Sequence, residues 1–116
     1  MSARVYLFSL VLTLVAECPV VFFAYARVAP PGRRIAAALA VNLTTHGLLW
    51  ASWRVLPWAY RTRLGIAESV IVLAEAGCYR MLLGGTASRA LVVSMVANAL
   101  SVAAGLWLPP ALVNTW

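Results

Sequence analysis

The sequence predicts an all-α polytopic membrane protein, an antiparallel four-transmembrane-helix bundle forming a single domain over residues 1–116. Three observations predict it. Of the 116 residues, 64% are hydrophobic and only 10% charged, and the mean hydropathy is +0.91, well outside the composition of soluble domains. Four apolar segments, about Val5–Ala26, Ile35–Pro57, Leu64–Gly84 and Ala90–Leu108, each come near the roughly 20 residues that a spanning helix needs. The connections between them are short, which sets consecutive helices side by side in opposite directions.

The first segment imitates a secretory signal, with a short basic start and an apolar run. However, Glu17 precedes Cys18 where cleavage wants a small residue, and the apolar run resumes at Val20–Tyr25. An uncleaved first helix is expected. Pro19 cannot donate to the carbonyl of Val15, so a kink just beyond Glu17 is expected too. Ala29-Pro30-Pro31-Gly32-Arg33-Arg34 reads as a turn at headgroup level. The second segment carries Asn42, Thr44, Thr45 and His46 and runs into Trp50, Trp53, Trp58 and Tyr60, an interfacial aromatic belt.

The third segment is long and apolar enough to cross a bilayer, yet it holds Glu68 and Glu75. An ionised carboxylate near the middle of hydrocarbon costs roughly 2.5–3.5 kcal/mol on insertion scales, whereas each Leu, Ile, Val or Phe returns only about 0.3–0.6 kcal/mol. This helix is a poor solitary span and needs neighbours with polar groups. Gly84–Arg89 is a flexible turn in which Ser88 or Thr86 can cap the fourth helix, which bears Ser94, Asn98, Ser101 and Gly105. The uncharged tail, Pro109–Trp116, is expected to lie along the interface.

The net charge of +6 comes from nine Arg against three Glu, with neither Lys nor Asp. All the bases fall near segment ends and all the acids inside segments. That pattern reports anchoring at lipid headgroups and not a nucleic-acid groove. Orientation is weakly specified: Arg4, Arg54, Arg61 and Arg63 lie on one side, and Arg27, Arg33, Arg34, Arg80 and Arg89 on the other. The slight excess places the 29–34 loop in the cytoplasm; near balance also allows insertion both ways up. The expected location is the bacterial inner membrane. The partners expected are the lipid bilayer and either further copies of the chain, an antiparallel dimer included, or a larger membrane complex.

Helical spacing sorts the polar residues. At about 100° per residue, Glu68 and Glu75 lie within about 20° of one direction, with Tyr79 about 40° further round. Asn42 and His46 share a face of the second helix, and Ser94, Asn98 and Ser101 share one on the fourth. Counted from the membrane face nearest the N-terminus, Glu17, His46, Glu75 and Asn98 all lie about 10–12 residues deep, near the middle of a roughly 30 Å core. Glu68 and Arg54 both lie about four residues deep, which predicts an ion pair between them.

A buried layer of this composition admits three readings. In the first, Glu17 and Glu75 carry protons or cations, for proton-linked movement of a small cation or organic solute, with His46 as relay and Asn42, Tyr79, Ser94, Asn98 and Ser101 in support. Desolvation favours the protonated form of a carboxyl group, so small changes in hydration load and unload it. In the second, Glu17, His46 and Glu75 ligate a metal that activates water. In the third, interhelical hydrogen bonds, worth about 0.6–2 kcal/mol each, hold the bundle together or dock it onto a complex. The first leads, because two carboxylates and an imidazole at one depth exceed what adhesion requires.

Glu75-Ala76-Gly77-Cys78-Tyr79-Arg80 resembles the EExxxR motif of CAAX-type intramembrane proteases, and Asn42…His46 is similar to their HxxxN element read backwards. The resemblance implies Glu75 as the motif glutamate and Arg80 as its arginine. It departs at Ala76, in the missing second His motif and in the four spans. Small multidrug-resistance transporters are similar in length and span number and in carrying a first-span glutamate, here Glu17, without the sequence usual around it. Ala40-Val41-Asn42 is similar to a stretch of small dual-topology fluoride channels, whose glycine-rich opening and third-span motif are missing. No cofactor is expected: Cys18 and Cys78 form no CxxC pair, and one histidine cannot supply two haem ligands.

Overall fold

A computed structural model describes residues 3–107. These residues form four α-helices and no strand: α1 (Ala3–Ala24), α2 (Pro31–Ser52), α3 (Tyr60–Leu83) and α4 (Ala87–Leu106). The end of the fourth segment at Leu108 and the tail Pro109–Trp116 lie outside the described residues.

The helices close into a ring in which α1 packs against α2 and α4, and α3 against the same two. Across the α1/α2 seam, Phe22 meets Arg34 and Ser9 meets His46, so one number falls as the other rises and the helices run antiparallel. The α1/α4 seam shows the same, with Ala24 against Arg89 and Thr13 against Ser101.

The helix ends differ from the apolar windows by a few residues, for identifiable reasons. Pro31 stands at the first position of α2, where its missing N–H costs nothing, so Arg33 and Arg34 belong to the helix and not to the preceding turn. The same helix stops at Ser52, short of Pro57, whose ring disfavours helical geometry at the residue before it. Helix α3 takes in Arg61 and Arg63 because charge alone does not end a helix. It closes on Gly84 and Gly85, whose φ angles of 81° and 76° favour glycine. Thr86, and not Ser88, caps α4 by accepting from the Arg89 amide at 3.1 Å. Helix α1 continues through Pro19 to Ala24.

Helices α1, α2 and α4 are long and apolar enough to cross a membrane. Helix α3, with 24 residues, is the longest of the four but does not qualify by composition, a correction to its reading as a sufficiently apolar segment. Its Arg61, Arg63, Glu68, Glu75 and Arg80 lower its hydropathy.

The distribution of side chains is inverted relative to a soluble bundle. Leu7, Val15, Phe23, Leu48, Leu73 and Met81 are exposed, whereas Glu17, Arg34, Asn42, Glu75, Ser94 and Asn98 are buried. Small residues, among them Ala37, Ala38, Ala76, Ala90 and Ala97, fill much of the interior and let the backbones approach closely. A dry cluster of Val21, Tyr25, Val41, Tyr79, Leu83 and Val93 occupies the half of the ring nearer the 25–30 and 84–86 turns. The opposite half holds Glu17, Glu75 and Asn98, whereas Asn42 and Arg34 lie on the side of the cluster.

Candidate functional site

A cavity of about 40 Å³ lies inside the ring, lined from all four helices by residues that include Glu17, Thr45, His46, Glu68, Glu75 and Asn98. About 10–15 Å³ of such space holds one water, so there is room for roughly three waters or one partly hydrated small cation. Three carboxylates share it.

Helix α3 presents Glu68 and Glu75 two turns apart on one face, so both reach the same space from one backbone. The Glu75 side chain is 1% exposed and both of its oxygens are engaged. Thr45 Oγ1 donates to Oε1 at 2.7 Å from α2, and Asn98 Nδ2 donates to Oε2 at 2.7 Å from α4. Asn98 is itself oriented by a second bond from Nδ2 to the Ser94 carbonyl at 2.9 Å. Ser94 Oγ donates to the Val72 carbonyl at 2.8 Å, which locks α4 to α3 one turn below Glu75.

Glu17 reaches the cavity from α1 and is 2% exposed. The Ser101 hydroxyl, which pairs with Thr13 Oγ1 at 3.3 Å, lies beside its carboxylate. Glu17 Oε2 is buried without any hydrogen-bond partner. An unpaired buried polar atom of this kind costs on the order of 1–3 kcal/mol and calls for a ligand, a proton or water.

His46 lines the same cavity but hydrogen-bonds outward from it, with Nε2 3.3 Å from Ser9 Oγ and its ring 5.3 Å from that of Tyr6. Tyr6 also meets Trp50 at 5.0 Å, and Arg63 lies over the Trp53 ring at 5.1 Å. On the dry side, Asn42 Nδ2 donates to Tyr79 Oη at 3.1 Å and to the Ala38 carbonyl at 2.9 Å. Asn42 Oδ1 and Tyr25 Oη are buried there without partners. Tyr25 and Tyr79 rings stand 6.3 Å apart across the ring's interior and close its inner end.

Several expectations change. The Glu68–Arg54 pair does not form: Glu68 faces the cavity, while Arg54 is exposed in the turn after α2. No group of three or more His, Cys, Asp or Glu among the described residues is arranged to hold a metal, so Glu17, His46 and Glu75 do not make a ligand set. Arg80, matched to the protease-motif arginine, is exposed, whereas Glu75 is buried. The sequence reading missed Thr45 as the direct partner of Glu75 and Thr13 as part of the lining. For Thr45 a signal existed, since it lies seven residues N-terminal to Ser52 on the side of α2 that also carries Asn42. The chain matches no protein-family model, no curated protein and no solved structure.

Proposed function

We propose that the chain is a four-span integral membrane protein of the bacterial inner membrane that moves protons, alone or coupled to a small cation, through the Glu17/Glu75 cavity. The observation that carries this reading is Glu17 Oε2, buried and unpartnered beside a second carboxylate in a water-sized space. In this reading α3 crosses the membrane as the inner-lining helix, its carboxylates facing the ring and not the lipid.

The two glutamates divide the work. Glu75, held by Thr45 and Asn98, is the fixed acceptor; Glu17, with one free oxygen, is the group that takes up and releases the mobile species. Glu68, nearer the mouth, attracts cations toward the interior. The cavity volume favours a proton or small inorganic cation over an organic solute, since sites for drug-sized ligands run to about 300–1,000 Å³. A ring sealed at one end by Tyr25 and Tyr79 must open there to complete transfer, and pairing of further copies gives that motion a counter-surface.

The test is proton flux into liposomes from purified protein, comparing the parent with Glu17→Gln and Glu75→Gln. Flux in the parent that drops at least tenfold in both variants supports the proposal, and undiminished flux in both rejects it. A structural role in a larger complex is the second reading, favoured by the full satisfaction of Glu75 across three helices. It predicts no flux in the parent and loss of a co-purifying partner in Glu75→Gln.

A further inference from the structure

A second feature lies on the outside of the ring, away from the carboxylates. An apolar groove of about 530 Å³ runs between α1 and α2, lined by residues that include Leu14, Cys18 and Phe22 on one side and Ile35, Ala38 and Leu39 on the other. From Leu14 to Phe22 it extends about 12 Å along α1, most of the roughly 15 Å depth of one leaflet. Its outer end adjoins the 25–30 turn.

That end is strongly and one-sidedly charged. Arg27 and Arg33 are both exposed there, with no hydrogen-bond or ion-pair partner among the described residues. The guanidinium of Arg34 lies 4.2 Å over the Phe22 ring, which lines the groove, and donates to the Phe22 carbonyl at 2.6 Å. Arg34 is 7% exposed, and its Nε is buried without a partner. Pro30 at the N-cap of α2 offers no side-chain cap, so the amides of Gly32 and Arg33 in the first turn are open to an acceptor. None of the chain's three acids is near, since all face the cavity in the other half of the ring.

We propose that this groove binds one anionic phospholipid, with an acyl chain between α1 and α2 and the phosphate held by Arg27, Arg33 and the first turn of α2. The inference rests on the membrane-spanning reading but not on proton transfer. Charge complementarity selects the occupant: a zwitterionic lipid carries its own cation to three arginines, whereas phosphatidylglycerol offers an unbalanced phosphate. The apolar groove supplies the second contact, which a free phosphate ion lacks.

Native mass spectrometry of detergent-purified protein, titrated with dioleoyl-phosphatidylglycerol or dioleoyl-phosphatidylcholine, tests it. At least fivefold greater retention of one phosphatidylglycerol per chain is expected, with sodium phosphate giving no adduct at the same concentration. The double variant Arg27→Gln/Arg33→Gln, at two exposed side chains, abolishes that preference. Leu39→Trp, which fills the groove from its rim, lowers retention of both lipids. Equal retention of the two lipids, an unchanged preference in the double variant, or a phosphate adduct as strong as the lipid's would each overturn the proposal. So would a Leu39→Trp variant that changes only the oligomeric state, because the groove would then be covered by a second copy. Liposome flux is measured on the same preparations, so loss of lipid selectivity with flux intact fails this site alone.

Discussion

Glu75→Gln separates the chemical role of the buried carboxylate from its structural one, and the geometry fixes how the variant should behave. Glutamine has the same length but offers one acceptor and one donor in place of two acceptors. Asn98 presents an amide N–H to Oε2 and can only donate there, so the glutamine oxygen must face Asn98. Its amide nitrogen then faces Thr45. The threonine hydroxyl accepts that new bond and turns its own proton to the Val41 carbonyl, already 3.0 Å away. Every bond is replaced, and only the charge assistance of two bonds is lost. With interhelical bonds averaging about 0.6 kcal/mol, and charged ones roughly twice as strong as neutral ones, the net loss over the two bonds should be about 1.2 kcal/mol. Unfolding in sodium dodecyl sulfate mixtures, followed by the fluorescence of the five tryptophans, measures it. The expected outcome is a small stability change with proton flux down at least tenfold. A loss above about 3 kcal/mol together with retained flux per folded molecule would refute the reasoning, since Glu75 would then be adhesive only.

Asn98→Leu should cost more than Glu75→Gln by the same unfolding measurement, about 1–3 kcal/mol, because it leaves Glu75 Oε2 buried without a donor. Arg34→Met removes the bond to the Phe22 carbonyl and the contact over the ring, and is expected to lower stability by about 1.5–3 kcal/mol, with Lys recovering only part. Gly84→Ala, at φ 81° and ψ −151°, should destabilise by about 1–3 kcal/mol. Gly77→Ala, where an added Cβ meets nothing within 4 Å, should be neutral or gain up to about 1 kcal/mol. A bimane on the exposed Cys78 should be quenched by lipid-borne bromine if α3 crosses the membrane, and shielding from lipid but not from aqueous iodide would count against that span.

The four helices were legible because each apolar window stands out against flanking arginines, prolines and glycines. Their ends were less so. Arg33 and Arg34 mark where apolar character begins, while the hydrogen-bond ladder begins at Pro31, and the two boundaries need not coincide. Depth counting placed Glu17, His46, Glu75 and Asn98 at one level, and the structure puts all four around one cavity. Counting could not choose between Thr45 and His46 as the neighbour of Glu75. Adjacent residues differ by about 100° in direction, and the rotation of α2 about its own axis, which decides between them, is not fixed by spacing within one helix. Depth alone pairs Glu68 with Arg54, whereas its spacing from Glu75 points it inward, where it lines the cavity.

The last turn of α1 has unusual neighbours. Its orphan carbonyls at Phe22 and Ala24 are gripped by guanidinium groups from two different helices, Arg34 of α2 and Arg89 of α4. Three staves are thereby riveted together at one rim. At the other rim α1 leans on α2 through the Tyr6, His46 and Trp50 rings and the Ser9–His46 hydrogen bond, without a guanidinium clamp of that kind. The charge-assisted clamp sits at one rim only, so removing either arginine takes away a tie that the aromatic rim does not duplicate.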